Sequence, residues 1–328
     1  MDNLRNIVAS KILSNISPHV KPIDYLMDSL NISRESVYRR IRGDISFTLE
    51  EIAKLSVELE FSIDELIIKD MHSRIFFDLH TNNAQSSSDA FVTMFEQCFK
   101  SFNDASHTKD FESIMILNHV PFGFIVFHNH LLKFSYYRWM HQSQESSLKY
   151  CYSDVTLPKE LIDSQQKAIE SLKKIRNNTF ILSQDVFLNL IREIQYYYKR
   201  RLINDDECNL LRNDLLNMVN SVENIAQTGC DKFGVKYNLY LSALNIESSS
   251  LYIKNNDQTK SQFYVNALEP LSVSNPSLCE LHKKWLDSMR KYATLITQSN
   301  EILQVQYFNK QRSYIDKIEE TATTVFTF

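Results

Sequence analysis

Helix-start and helix-stop residues follow one another so closely between Pro22 and Leu66 that only short helices fit the chain there. Pro22 stands where a first helical turn tolerates proline, and Ile23, Leu26, Met27 and Leu30 continue an apolar stripe at helical spacing. Asn31-Ile32-Ser33 is then too short for anything but a tight turn. Asn31 belongs to the residue types that accept the left-handed conformation, Ile32 plugs the turn, and Ser33 is placed to cap a third helix. From Arg34 to Arg42, Val37 and Ile41 lie four apart and face inward, which sends Arg34, Glu35, Tyr38, Arg39 and Arg42 outward. Gly43 closes this helix. Thr48 caps the next, with Leu49, Ile52, Ala53, Leu55 and Leu59 as its apolar positions, and Ser62 caps a last one with Glu65 at the capping-box position. An opening helix striped by Leu4, Ile7, Val8, Lys11, Ile12 and Ile16 ends at Ser17-Pro18 and completes a set of five.

In this order and spacing, "YLMDSLNISRESVYRRIRGDISFTLEEIAKLSVELEFSIDELI" resembles the five-helix helix-turn-helix domain of phage-repressor-like, or XRE-type, bacterial transcription regulators. The positions that carry the resemblance are Leu26, Ile32, Ser33, Val37, Ile41, Gly43, Leu49, Ile52, Ala53, Leu55, Ser62, Glu65 and Leu66. It covers roughly the first fifth of the chain, and it departs from the family at Leu26-Met27, where a small residue is usual. The resemblance implies an all-α, lambda-repressor-like DNA-binding domain over residues 1–70, with the helix from Arg34 in the major groove. Arg34, Glu35, Tyr38 and Arg39 would then meet base edges, a bidentate Arg34–guanine pair being worth about 1–3 kcal/mol of discrimination. Ser33, Ser36, Arg40 and Arg42 would hold phosphates, which set register without reading sequence. Such regulators bind double-stranded operators as two-fold homodimers, with half-sites about 34 Å apart.

Charge qualifies this reading. Residues 1–70 hold nine Lys/Arg against twelve Asp/Glu, so the +3 of residues 34–42 is local, and the whole chain carries -4. Non-specific attraction to DNA is weak for such a domain, and specific binding depends on two copies acting together. The same weak charge supports a second reading, in which the N-terminal helices dock a partner protein and the chain is an interaction scaffold.

Beyond residue 70 the composition turns polar and serine-rich, which places a domain boundary there and a loop at 81–89. Residues 71–328 read as a helix-rich α+β region for regulation and oligomerisation. Phe91, Met94, Phe95, Cys98, Phe99 and Phe102 form a helical stripe, and helices are expected over about 158–177, 185–203, 205–228 and 277–320. "ESIMILNHVPFGFIVFHNH" reads as two extended runs broken at Pro121 and Gly123, and "KYNLYLSALNIESSSLYIKNNDQTKSQFYVNAL" as three strands. A small-molecule or protein effector is open for this region; the 36 Phe and Tyr residues of the whole chain suit a ligand pocket and suit a core equally well. A stripe from Leu278 through Leu281, Trp285, Met289, Tyr292, Leu295 and Ile296 to Ile302 and Leu303 suits either a dimer seam or packing on the chain's own domain.

Catalytic signals are missing. Four glycines build no phosphate-binding loop, and no nucleophile–base constellation stands out, so the chain reads as neither an enzyme nor a cofactor carrier. His119, His128 and His130, with His141 nearby, invite a metal, but "HNH" on a strand puts His128 and His130 on one face without a third ligand at a telling distance, which leaves surface or hydrogen-bonded histidines as the better reading. "YYYKRR", Tyr196 to Arg201, mixes aromatic and basic residues as nucleic-acid surfaces do, yet Ile191, Ile194 and Tyr197 continue a core stripe. Five scattered cysteines without a CxxC pair, no signal peptide and no apolar run of about 18 residues lead to the expectation of a cytoplasmic protein with no membrane partner.

Overall fold

The computed structural model describes residues 4–17, 20–59, 61, 62, 77, 84–105, 110–143, 147, 149–175, 177–265 and 269–318. The chain divides into two compact units, residues 1–76 and 77–328.

The first unit is helical: α1 (Leu4–Asn15), α2 (Pro22–Leu30), α3 (Arg34–Ile41) and α4 (Leu49–Glu58). Their inward positions meet in one small core around Ile12, Leu26, Val37, Phe47, Leu55 and Phe61. Asn15 donates from Nδ2 to the Leu59 carbonyl at 3.1 Å, tying the end of α1 to the end of α4. Three apolar positions expected in that core lie outside it: Leu4, Leu49 and Ala53 are exposed. The stripe in α4 offered two overlapping faces, and its rotation sends Ile52 and Leu55 inward while Leu49, 70% exposed, and Val57, 79% exposed, stay outside. The fifth helix expected after Ser62, with Glu65 and Leu66, lies outside the described residues.

The second unit is α+β. A mixed seven-stranded sheet runs in the order β6-β5-β4-β1-β2-β3-β7, with β1 (Phe111–Leu117), β2 (Asn177–Leu182), β3 (Lys236–Ser242), β4 (Ser250–Asn255), β5 (Gln258–Val265), β6 (Glu269–Val273) and β7 (Ala293–Leu295). β1, β2 and β3 are parallel neighbours, and β4, β5, β6 and β7 join them antiparallel. The parallel pairs need helical crossovers. Between β1 and β2 lie α6 (Phe122–Ile125), α7 (Asn129–Gln142) and α8 (Lys159–Leu172), and between β2 and β3 lie α9 (Leu188–Lys199) and α10 (Asp205–Thr228). α5 (Ser87–Ala105) precedes the sheet; α11 (Pro276–Lys291) and α12 (Glu301–Asp316) come after β6.

Alternation along the strands separates two cores. Met115 and Leu117 of β1, Leu182 of β2, Leu239 and Leu241 of β3 and Leu251 and Ile253 of β4 face the large helical layer. Ile114, Ile116, Ile181 and Tyr252 face the other way, onto Cys279 and Leu286 of α11. β1 is buried on both faces from Ser113 to Leu117, which explains the unbroken apolar run Ile114–Leu117. The large helical layer, on the face away from α11, takes the Phe91–Phe102 stripe of α5 as a wall.

Several expectations change in this unit. The second extended run is helical: Pro121 is extended, and its carbonyl accepts from the Phe124 and Ile125 amides at 3.0 and 3.3 Å, which starts α6 at once. A short apolar run has no period that separates buried strand from buried helix. His128 consequently stands in the N-cap position of α7 and His130 in its first turn, the His130 amide donating to Asp214 at 2.9 Å, so the two do not share a strand face. The long helix expected over 277–320 is interrupted by β7, which pairs with β3 through Leu295 opposite Tyr240, and Asn300 takes the left-handed conformation at φ 53° before α12 begins. The helix expected over 158–177 ends at Leu172, and Asn177–Leu182 is β2. The loop expected over 81–89 gives way to α5 from Ser87.

Candidate nucleic-acid interface

The geometry of α3 is set at both ends and on one side. Asn31 is left-handed, φ 52° and ψ 47°, which turns the chain out of α2 within the three residues available. Ser33 is extended, and its side chain accepts from the Ser36 amide at 3.3 Å, satisfying one of the free N–H groups of the first turn. At the other end Gly43 has φ +78°, a conformation that favours glycine. Val37 is fully buried against the core, with Ile41 half-buried beside it.

Arg40 completes the fixing. Its Nε and Nη2 donate to the two carboxylate oxygens of Glu51 at 2.9 and 2.8 Å, and Nη1 donates to the Ser36 carbonyl at 3.4 Å. Glu51 also accepts from the Thr48 amide at 2.9 Å, while Thr48 Oγ1 accepts from the Glu51 amide at 3.2 Å. One carboxylate thus closes the capping box of α4 and clamps α3 by a bidentate ion pair. Both side chains are largely covered, at 13% and 16% exposure.

This separates Arg40 from the other seven site residues. Its guanidinium belongs to the internal framework and is not held out toward solvent, contrary to the expected phosphate role. Arg42 stays exposed with Nε 3.5 Å from Asp44, which offsets part of its charge. Ser33 is exposed and Ser36 half-buried at the start of the helix. Arg34, Glu35, Tyr38 and Arg39 are exposed, and their side chains make no hydrogen bond, ion pair or ring contact among the described residues. They form a bare polar face on a helix whose remaining contacts are satisfied. Thr48 was legible in the sequence as a cap, whereas the pairing of Glu51 with Arg40 was not.

The other features singled out in the sequence do not build a second polar face of this kind. In "YYYKRR" Tyr197 is buried, and Arg200 lies over the Tyr196 ring at 5.4 Å and donates to its hydroxyl at 3.0 Å. Among the described residues no His, Cys, Asp and Glu side chains group as metal ligands do, and all five cysteines are free thiols. No helix among the described residues is long and apolar enough to cross a membrane. No protein-family model, curated protein or solved structure matches this chain.

Proposed function

We propose that the chain is a sequence-specific DNA-binding transcription regulator, with α3 as its recognition helix and the 77–328 unit joining two copies. The observation that carries this reading is the division of labour on α3. Val37, Arg40, the Ser33 cap and Gly43 hold the helix rigid, while Arg34, Glu35, Tyr38 and Arg39 are left without partners on its outer side. A reading helix needs this combination, because side chains that must find base edges lose affinity if their backbone is free to wander. In the lambda-repressor-like arrangement Arg34 and Arg39 address bases and Ser33, Ser36 and Arg42 address phosphates. Arg40 acts through α3's position.

The local charge supports a dimer. With Arg40 neutralised by Glu51 and Arg42 beside Asp44, a single α3 carries too little free positive charge for tight binding alone. Leu281, Trp285 and Tyr292 are exposed on the 77–328 unit and offer apolar surface for self-association. Affinity selection from a random pool of duplexes tests the reading: enrichment of a two-fold sequence with half-sites about 34 Å apart is expected. A pool that emerges unenriched at low salt as well as high contradicts it and favours the scaffold reading, in which the bare face of α3 meets a protein.

A further inference from the structure

A cavity of 420 Å³ opens in the 77–328 unit beside the ends of β1 and β2. Its walls are largely aromatic. Phe124 meets Phe180 edge to face with centroids 5.4 Å apart, and Phe180 meets Tyr237 in the same manner at 5.6 Å. Met115 and Leu172 add aliphatic wall, and Cys98, whose thiol burial pushes up to about 12, serves as another apolar surface. The volume lies in the range of small-molecule sites, and rings set edge to face leave slots that a planar ring fills.

Three polar side chains from three elements line the same space with bonding capacity left over. Arg138 of α7 pairs with Glu193 of α9 through Nη1, while its Nε is buried without a partner. His119, just beyond β1, spends Nδ1 on Asn118 Oδ1 and Ser249 Oγ, both at 2.9 Å, and no partner meets Nε2 among the described residues. Burial, with the Arg138 charge adding to it, holds this imidazole down at about 4, so it is uncharged at neutral pH. Tyr264 of β5 lies edge-on to His119 at 5.8 Å, and burial raises its phenol well above the usual range, which keeps it a neutral donor. Among the cavity's charged lining residues, Arg138 and Arg192 outnumber Glu193. Arg138 is paired with Glu193, so the remaining positive charge is that of Arg192, exposed at the rim.

We infer that this cavity binds a small aromatic carboxylate, its ring among Phe124, Phe180 and Tyr237 and its carboxylate toward Arg138 and Tyr264. The guanidinium of Arg138, with its Nε unpartnered, and the phenol of Tyr264 both offer donors, so the complement they lack is an oxygen acceptor, and a charged N–H donor favours an anionic one. The site is independent of the DNA-binding reading and stands or falls on its own.

Calorimetric titration of the full chain with 2-naphthoate, 2-naphthalenemethanol and octanoate tests it. The expected result is saturable binding of 2-naphthoate at one site per chain, at least tenfold tighter than the neutral alcohol and the aliphatic acid. Leu172→Trp, which fills the lumen from its half-buried rim, is expected to abolish binding while the thermal transition is kept. The pair R138Q/E193Q removes both charges together and strands neither. It is expected to erase the preference for carboxylate over alcohol, whether or not Leu172→Trp folds. Equal affinity for the alcohol or for octanoate overturns the assignment of ligand class. Absence of saturable 2-naphthoate binding, or binding indifferent to both variants, overturns the site.

Discussion

The two units treat arginine–glutamate pairs in opposite ways. In the small unit Arg40 and Glu51 form a closed arrangement: two hydrogen bonds between the side chains, one to the Ser36 carbonyl, and the Thr48 amide on the remaining capacity of the carboxylate. In the large unit Arg138 and Glu193 form an open one, with the guanidinium Nε buried and unpartnered at the side of a cavity. The difference reflects core size. Among the described residues nine buried apolar side chains hold the first unit, so polar links between helices carry a sizeable share of its stability. The second unit has an extensive core on one sheet face and a further one under α11, and it can carry unsatisfied or titratable groups inside. A closed pair stiffens a surface that works from the outside; an open pair leaves chemistry for something that enters.

Perturbations of stability sharpen this contrast, and both tryptophans, Trp139 and Trp285, lie in the second unit, so their fluorescence follows that unit alone. Acid has the largest expected effect. Burial holds His119 and His282 at about 4, His282 between Ser250 Oγ and Ser261 Oγ at 2.9 Å each. Folded values below the unfolded value of 6.5 mean that the unfolded chain binds more protons between pH 6.5 and 4. Stability is therefore complete above pH 6.5 and falls as pH drops through that window, by about 4 kcal/mol for the two imidazoles together after allowing for solvent screening. Tryptophan-monitored urea unfolding at pH 7 and pH 4.5 is expected to show the loss, and His282→Gln is expected to remove part of it.

Leu55→Ala comes next. Leu55 is fully buried in the small core, and its truncation is expected to cost about 3 kcal/mol. Far-UV circular dichroism should then show an early loss of helix while the tryptophan transition stays in place; a shared shift of both would mean that the units unfold as one. Glu51→Ala removes a cap and a bidentate partner at once, for about 2 kcal/mol in the first unit. Arg34→Ala is expected to leave both transitions within about 0.5 kcal/mol, because the side chain is exposed and touches nothing.

Local signals made the first unit readable. Pro22, Asn31, Ser33, Gly43 and Thr48 act through their own backbone neighbours, and each stands in the structure where such chemistry puts it. What could not be read there was rotation: α4 carried enough apolar residues for two faces, and the pairing of Arg40 with Glu51 across eleven residues is a tertiary fact. In the second unit β1, β3, β4 and β5 announced themselves by apolar or alternating runs between turn residues. β2 did not, because "NNTFIL" is too short to separate from the end of α8, and β7, three residues long, exists only through its pairing with β3. The cavity was foreshadowed only as an excess of Phe and Tyr. Its polar members come from α7, the end of β1, β5 and α9, and no spacing along the chain links them.

The central claim is that the outer face of α3 reads DNA while its inner face only holds the helix. Titration of a selected duplex at fixed salt with the wild-type chain, the Arg34→Ala/Arg39→Ala double variant and Arg42→Ala tests it most directly. The double variant is expected to lose at least about thirtyfold in specific affinity, from about 1–3 kcal/mol per base-reading arginine. Arg42→Ala is expected to weaken specific and non-specific duplexes alike and to flatten the salt dependence by about one contact. Unchanged specific affinity in the double variant, with its fold intact, would contradict the assignment of α3 as the reading helix.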